Sequence, residues 1–177
     1  MKFLKSYIMP LAFVMALLLI DQITKRLAVR HLRPIGTFQL INGLLHLHYH
    51  ENSGMAFGLF QGGRWIFVIL TVVILGFIIY LYATLPKVRF RTPMRFFLLM
   101  LIGGALGNFV DRVTQGYVVD FIAFSFVNFP IFNMADVFLV VSVFVLVALF
   151  LFTKDLKKEP THIEAIAESN EASDADE

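Results

Sequence analysis

Four long apolar segments constrain this chain more than any other feature. A helix needs about 20 predominantly apolar residues to cross a bilayer, and only the second segment, from Trp65 to Leu85, reaches that length without charged ends. The other three reach it when their polar ends lie at the membrane interface. The sequence therefore predicts an all-α membrane protein with four transmembrane helices, at about residues 7–28, 65–85, 94–112 and 134–153.

Composition supports a membrane location and excludes several kinds of functional site. Hydrophobic residues make up 58% of the 177 residues, and the mean hydropathy of +0.76 is too high for an ordinary soluble domain. The chain has no cysteine, which excludes a thiol nucleophile, disulfides and thiolate metal sites. The first apolar segment follows Lys2 and Lys5 like a signal peptide, but no small-residue cleavage site follows it, so we expect a retained helix.

The charges divide the chain into two parts. Residues 1–154 hold 13 Lys and Arg against five acids, whereas residues 155–177 hold two against eight. Acidic, polar segments without aromatic residues bury too little apolar surface to fold. We therefore predict a single membrane domain over residues 1–158 and a disordered acidic tail over residues 159–177.

The distribution of Lys and Arg predicts the orientation. With the N-terminus in the cytoplasm, nine basic residues lie inside and six lie outside, which agrees with the positive-inside rule. Both termini are then cytoplasmic. Three acids, Asp21, Asp120 and Asp136, fall at the outer face.

The segment between the first two apolar runs predicts a small external β region over about residues 35–60. Two short strand-like runs flank Asn42-Gly43, a strong hairpin signal. Strict alternation would place three histidines of the second strand on one face, as in some zinc sites. An exposed polar strand face explains the same pattern, and no further ligand is placed to complete a metal site; the histidines are His46, His48 and His50.

Several polar residues near the helix ends have structural interpretations. Asp21 and Lys25 are four residues apart and can pair on one helix face. Asn133 can cap the last helix, with Asp136 in its first turn beside the helix dipole. Gly103 and Gly107 form a G-x-x-x-G step, which favours close helix packing.

Asn108, Asp111 and Arg112 share one face of the third predicted helix. Their spacing predicts a local, hydrogen-bonded ion pair. Asp120 and Asp136, by contrast, are candidates for a catalytic role. An ionised acid raises the free energy of inserting an apolar segment into the membrane, so acids at such positions are candidates for function. Two close carboxyl groups are the smallest set of groups with which an aspartic hydrolase can work.

Five ordered segments between residues 21 and 136 resemble those of the lipoprotein signal peptidases, the type II signal peptidases of bacterial membranes. Any one segment is weak evidence, but the ordered set on a four-span chain of this length is specific. The segments are DQITK (21–25), ENSGMAF (51–57), GGALGNFVDR (103–112), VVDF (118–121) and FNMAD (132–136).

This resemblance implies a membrane-embedded aspartic endopeptidase whose catalytic dyad is Asp120 and Asp136. Its substrate would be a prolipoprotein bearing diacylglycerol on a cysteine, cleaved on the N-terminal side of that cysteine. The resemblance also implies no metal, no cofactor and no nucleic-acid partner, a monomer in the bacterial inner membrane, and an amphipathic segment (residues 121–132) before the last helix. Supporting residues around the dyad would be Asp21, Lys25, Asn52, Gly54, Asn108, Arg112, Asn133 and Ala135.

Two other functions compete with this one. A small ion or proton transporter would use Asp21, Asp120 and Asp136 as a relay, but these acids cluster toward one face and the second span is uncharged. A serine and lysine hydrolase would use Ser53 with Lys25, but no oxyanion motif accompanies Ser53. Cleavage of a reporter lipoprotein separates these functions.

Overall fold

A computed structural model describes residues 7–54, 63–88 and 90–156. It contains four long helices and three strands. In chain order these are α1 (Met9–His31), β1 (Thr37–Ile41), β2 (Leu45–Asn52), α2 (Arg64–Thr84), α3 (Arg91–Thr114), β3 (Val118–Phe124) and α4 (Met134–Leu156). The predicted acidic tail (159–177) and part of the predicted external region (55–60) lie outside the described residues.

The four helices occur where the apolar segments predict them, with ends shifted by a few residues. α2, α3 and α4 are each long and apolar enough to cross a bilayer. α1 has 23 residues but carries Asp21, Lys25 and Arg26 in its C-terminal half. α3 lies at the centre of the bundle and packs against the other three helices.

Glycines on α3 permit this close packing, as the G-x-x-x-G interpretation expects of Gly103 and Gly107; a Cβ added at Gly107 would lie 2.5 Å from Asp21 Oδ2. A Cβ added at Gly103 would lie 2.9 Å from the Leu17 Cβ on α1. A Cβ added at Gly104 would lie 2.7 Å from the Ala135 backbone oxygen on α4. The two neighbouring helices therefore approach α3 on different faces, to within the space that only a glycine leaves.

The three strands form one antiparallel sheet in the order β1-β2-β3. The predicted hairpin is present, and Gly43 in its turn has a φ of 70°, a conformation that favours glycine. The third strand was not predicted: residues 118–124 form β3, and the predicted amphipathic segment (121–132) begins inside it. Phe132 then returns to pair with Ile122.

The sheet is attached to the end of α1 by its own apolar core. Ala28 of α1 and Leu32, which follows its last residue, pack against Val119 and Phe121 of β3. A second core fills the helix bundle, where Val14, Leu75, Leu98 and Ile102 meet. β3 is thus anchored on one side by α1 and joined on the other to β2, so Asp120 is carried on a strand that is buried along most of its length.

Candidate active site

The two predicted catalytic acids are brought into one polar cluster. Asp120 lies in the middle of β3, and Asp136 lies in the first turn of α4. The side chain of Asn133 contacts both residues, since its Nδ2 donates to Asp120 Oδ1 at 2.6 Å and its Oδ1 accepts from the Asp136 backbone N–H at 3.1 Å. A single amide therefore links the strand to the helix.

Asp120 is almost fully buried and receives two hydrogen bonds. Besides Asn133, Asn52 at the end of β2 donates from Nδ2 to Asp120 Oδ2 at 2.8 Å. Burial raises the pKa of Asp120 to about 7, and the nearby charge of Asp136 adds to the rise, while the two amide donors and Lys25 oppose it. This carboxyl can therefore hold a proton at neutral pH.

Asp136 is held by donors from two elements. The Asn108 Nδ2 of α3 donates to Asp136 Oδ1 at 2.8 Å, and the Asn133 backbone N–H donates to Asp136 Oδ2 at 3.1 Å. The reciprocal bonds between Asn133 and Asp136 have the form of a capping box, which stabilises the start of α4. The predicted cap is confirmed, and the same contacts orient Asp136.

A buried ion cluster lies behind the two acids, between α1 and α3. Lys25 is 3% exposed; its Nζ contacts Asp21 Oδ2 at 2.8 Å and Asp111 Oδ2 at 2.9 Å. It also donates to Asn108 Oδ1 at 2.9 Å. The predicted Asp21–Lys25 pair is confirmed, although as part of a larger network.

The predicted local ion pair between Asp111 and Arg112 is wrong. Adjacent residues on a helix point in different directions, so Asp111 faces α1, where it binds Lys25 and accepts from Gln22 Nε2 at 2.8 Å. Arg112 faces the other way and lies over the Phe67 ring, 5.2 Å from its centroid. Neither Asp111 nor Gln22 was predicted as a site residue, because their contact joins positions 89 residues apart.

The remaining predicted site residues hold the backbone around the cluster. Arg112 Nη2 donates to the Gly54 oxygen at 3.5 Å, and the Gly54 N–H donates to Asn52 Oδ1 at 3.0 Å. This last bond leaves Asn52 Nδ2 facing Asp120. On the far side, the Ala135 N–H donates to Asp21 Oδ1 at 2.9 Å, which ties α4 to α1.

The two acids lie at the polar end of a cleft of about 470 Å³. Asn52, Asn108 and Arg112 also line this end. The rest of the cleft is apolar, and its only direct signal in the sequence is the group of phenylalanines that follow Asp120. These apolar lining residues are Val118, Phe124, Phe129, Pro130, Ile131, Phe132, Val137, Val140 and Val141.

The histidines of β2 do not form a metal-binding group in the described part of the chain. No set of three or more His, Asp or Glu residues there could hold a metal ion. His46 Nδ1 is 2.9 Å from Ser125 Oγ, and His48 Nδ1 is 2.8 Å from Thr37 Oγ1. The strand register shifts between Leu47 and His50, so the strict alternation assumed for the three rings is interrupted.

Comparisons with known proteins agree on one family. The family model described as signal peptidase (SPase) II matches residues 13–152. A lipoprotein signal peptidase of Caldanaerobacter subterraneus subsp. tengcongensis is 43% identical over 145 residues, which cover 81% of this chain and 97% of that protein. One from Streptococcus pyogenes serotype M5 is 40% identical over 138 residues, covering 76% and 90%.

A solved structure of a bacterial membrane enzyme has a similar fold. It aligns with a TM-score of 0.77 and 32% identity, over 88% of this chain and 94% of that one. The alignment therefore includes most of the bundle and sheet described above.

Proposed function

The chain belongs to the signal peptidase II family, and from that premise we propose that Asp120 and Asp136 are the catalytic dyad of a membrane-embedded aspartic endopeptidase. Its reaction is the removal of signal peptides from prolipoproteins. The observation that supports this dyad is that both acids contact the Asn133 side chain. Its Nδ2 donates to the Asp120 carboxylate, and its Oδ1 accepts from the Asp136 backbone N–H. No other pair of acids in the described residues lies at the cleft.

The proposed chemistry uses one proton shared by two carboxyl groups. Two close carboxylates do not both ionise at low free-energy cost, so one keeps its proton. The raised pKa of Asp120 supports a protonated dyad at neutral pH. The acid donates its proton to the scissile carbonyl oxygen, while the base takes a proton from the attacking water. Collapse of the tetrahedral intermediate returns a proton to the leaving amine and breaks the peptide bond.

The cleft suggests how a lipid-bearing substrate binds. Its polar end presents the two acids and Arg112, and its apolar walls continue along α4. Val140 and Val141 line the cleft and are also 53% and 40% exposed, so the wall is continuous with the outside of the helix bundle. We propose that the peptide lies at the acids and that the diacylglyceryl chains follow this wall into the bilayer. Cleavage then occurs on the N-terminal side of the lipidated cysteine.

We propose that α1 is a fourth transmembrane span. Its charged residues Asp21 and Lys25 are buried and paired, so they do not meet lipid as free charges. Its outward side chains are apolar and exposed, as expected of a lipid-facing surface; they include Leu11, Met15, Leu19, Ile23 and Leu27. With both termini in the cytoplasm of a bacterium, the sheet and the dyad lie at the outer face of the inner membrane. We also propose that the protein acts as a monomer, since the dyad and the amides that bind it need no residue from a second copy.

The test is cleavage of a diacylglyceryl-modified precursor by purified protein in detergent. Asp120→Asn and Asp136→Asn each keep the side-chain size but remove one titrating group, and each should lower cleavage by at least about 10³-fold. Glu51→Gln is the matched control, because it removes an exposed carboxylate from the same sheet and should cleave like the wild type. Normal cleavage by either aspartate variant would overturn the dyad.

A further inference from the structure

The carboxamide of Asn108 lies between the buried ion cluster and the proposed dyad. Its Nδ2 donates to Asp136 Oδ1 at 2.8 Å. Its Oδ1 accepts from Lys25 Nζ at 2.9 Å and from Asn133 Nδ2 at 3.2 Å. The direction of this one amide therefore decides whether Asp136 faces a donor or an acceptor.

Lys25 determines that direction because an ammonium group can only donate. Its three N–H donors match three acceptors, on Asp21, Asp111 and Asn108. If the amide turned over, its NH₂ group would face the ammonium of Lys25 and the NH₂ group of Asn133, and its oxygen would face the carboxylate of Asp136. All three new contacts would be repulsive.

The positive charge of Lys25 is a less suitable explanation for its effect on the dyad than its hydrogen bond to Asn108. Asp21 and Asp111 bracket the ammonium at 2.8 and 2.9 Å, so the cluster as a whole carries no surplus positive charge for the dyad. What the cluster does present toward the cleft is an oriented amide.

We propose that Lys25 is a positioning residue that fixes the carboxamide of Asn108 so that Asp136 always receives an N–H donor. This role rests on the proposed function, because it matters to cleavage only if Asp136 is catalytic. Without Lys25 only Asn133 and Asp136 still favour this direction, so the amide is held less firmly and Asp136 loses its fixed hydrogen bond for part of the time. Substrate binding at the apolar walls is not involved.

The experiment is a double-mutant cycle on kcat with Lys25→Met, Asn108→Ala and the combined variant, measured on the lipidated precursor. A loss of fixed geometry near reacting groups costs up to about 100-fold, so Lys25→Met should lower kcat by about 10- to 100-fold while KM changes by less than about 3-fold. In the Asn108→Ala background the same change should lower kcat no further. Arg30→Met, which removes an exposed positive charge from the same helix, should behave like the wild type.

Two further variants keep the proposal testable if Lys25→Met does not fold. Lys25→Met combined with Asp111→Asn preserves the net charge of the cluster and enters the same cycle, with Asp111→Asn alone as its reference. Asn108→Asp keeps an acceptor for Lys25 but removes the donor to Asp136, so its kcat should be as low as that of Asn108→Ala. Higher activity of Asn108→Asp, or additive kcat losses in either cycle, would overturn the positioning role.

Failure of this inference is distinguishable from failure of the proposed function. If Asp136→Asn is inactive while the kcat losses of the Lys25 and Asn108 variants are additive, only the positioning role of Lys25 is refuted. If Asp136→Asn cleaves normally, the dyad itself falls.

Discussion

Replacement of Gly104 by alanine tests how closely α3 and α4 must approach. The new Cβ would lie 2.7 Å from the Ala135 oxygen, 3.0 Å from the Leu139 Cγ and 3.2 Å from the Phe138 Cβ. Ordinary contacts begin at 3.4 Å, so the Ala135 carbonyl must retreat by about 0.7 Å. A backbone carbonyl cannot rotate away as a flexible side chain does, and we expect the two helices to separate.

The magnitude follows from two opposing effects. Overpacking of a close contact costs about 1–3 kcal/mol, whereas replacing a helical glycine by alanine is favourable by about 0.5–1 kcal/mol. The net expectation is a destabilisation of about 0–2.5 kcal/mol, with a midpoint slightly above 1 kcal/mol. The same displacement acts on Asp136, which follows Ala135, and would lengthen its 2.8 Å bond from Asn108 toward the limit of a hydrogen bond. Cleavage should then fall by about 10- to 100-fold.

The assay combines thermal unfolding in detergent with cleavage of the lipidated precursor. Gly76→Ala on α2 is the matched control, because a Cβ there meets nothing within 4 Å; it should be at least as stable as the wild type and fully active. A Gly104→Ala protein that matches Gly76→Ala in both stability and activity would refute the close-packing argument.

Further predictions concern pH, metal and orientation. Because the pKa of Asp120 is raised to about 7, the rate of cleavage should fall as pH rises through about 7. The folded state holds this proton more tightly than the unfolded state, so the contribution of Asp120 to stability should be greatest below its ordinary pKa of 3.8 and lost by about pH 7; unfolding midpoints across this range measure it. Most cleavage activity should remain after addition of a chelator, and also after replacement of all three histidines of β2 by glutamine. Loss of activity with EDTA would instead indicate that a metal ion is required. In intact cells an impermeant thiol reagent should label Asn42→Cys but not Lys87→Cys, and the reverse pattern would invert the orientation.

The sequence predicts the helices well because each apolar segment is long and bounded by polar residues. The hairpin is predicted for a different reason, since Asn42-Gly43 specifies a tight turn between two short runs. β3 escapes prediction because most of its residues are buried on both faces. A strand of this kind shows no alternation of polar and apolar residues, and Val118 to Phe124 cannot be distinguished locally from the end of a helix.

The site shows the same division between local and distant contacts. The cap of α4 by Asn133 and the pairing of Asp21 with Lys25 follow from spacing along one helix. The pairing of Asp111 with Lys25 does not, because it joins two helices far apart in the sequence. The resemblance to a known family predicts which residues belong to the site. It does not predict which amide faces which carboxylate, because that depends on the packing of α1, α3 and α4.

The contacts made by the start of α4 have a consequence for biosynthesis. Asp21 accepts from the Ala135 N–H, and Asp120 accepts from the Asn133 side-chain amide, so both acids acquire contacts from the start of α4, which is the last of the described helices to be synthesised. A nascent chain that has inserted only α1, α2 and α3 lacks Asp136 and lacks one of the two amide donors to Asp120. On the proposed mechanism, proteolytic competence is therefore reached only when α4 has been inserted into the membrane.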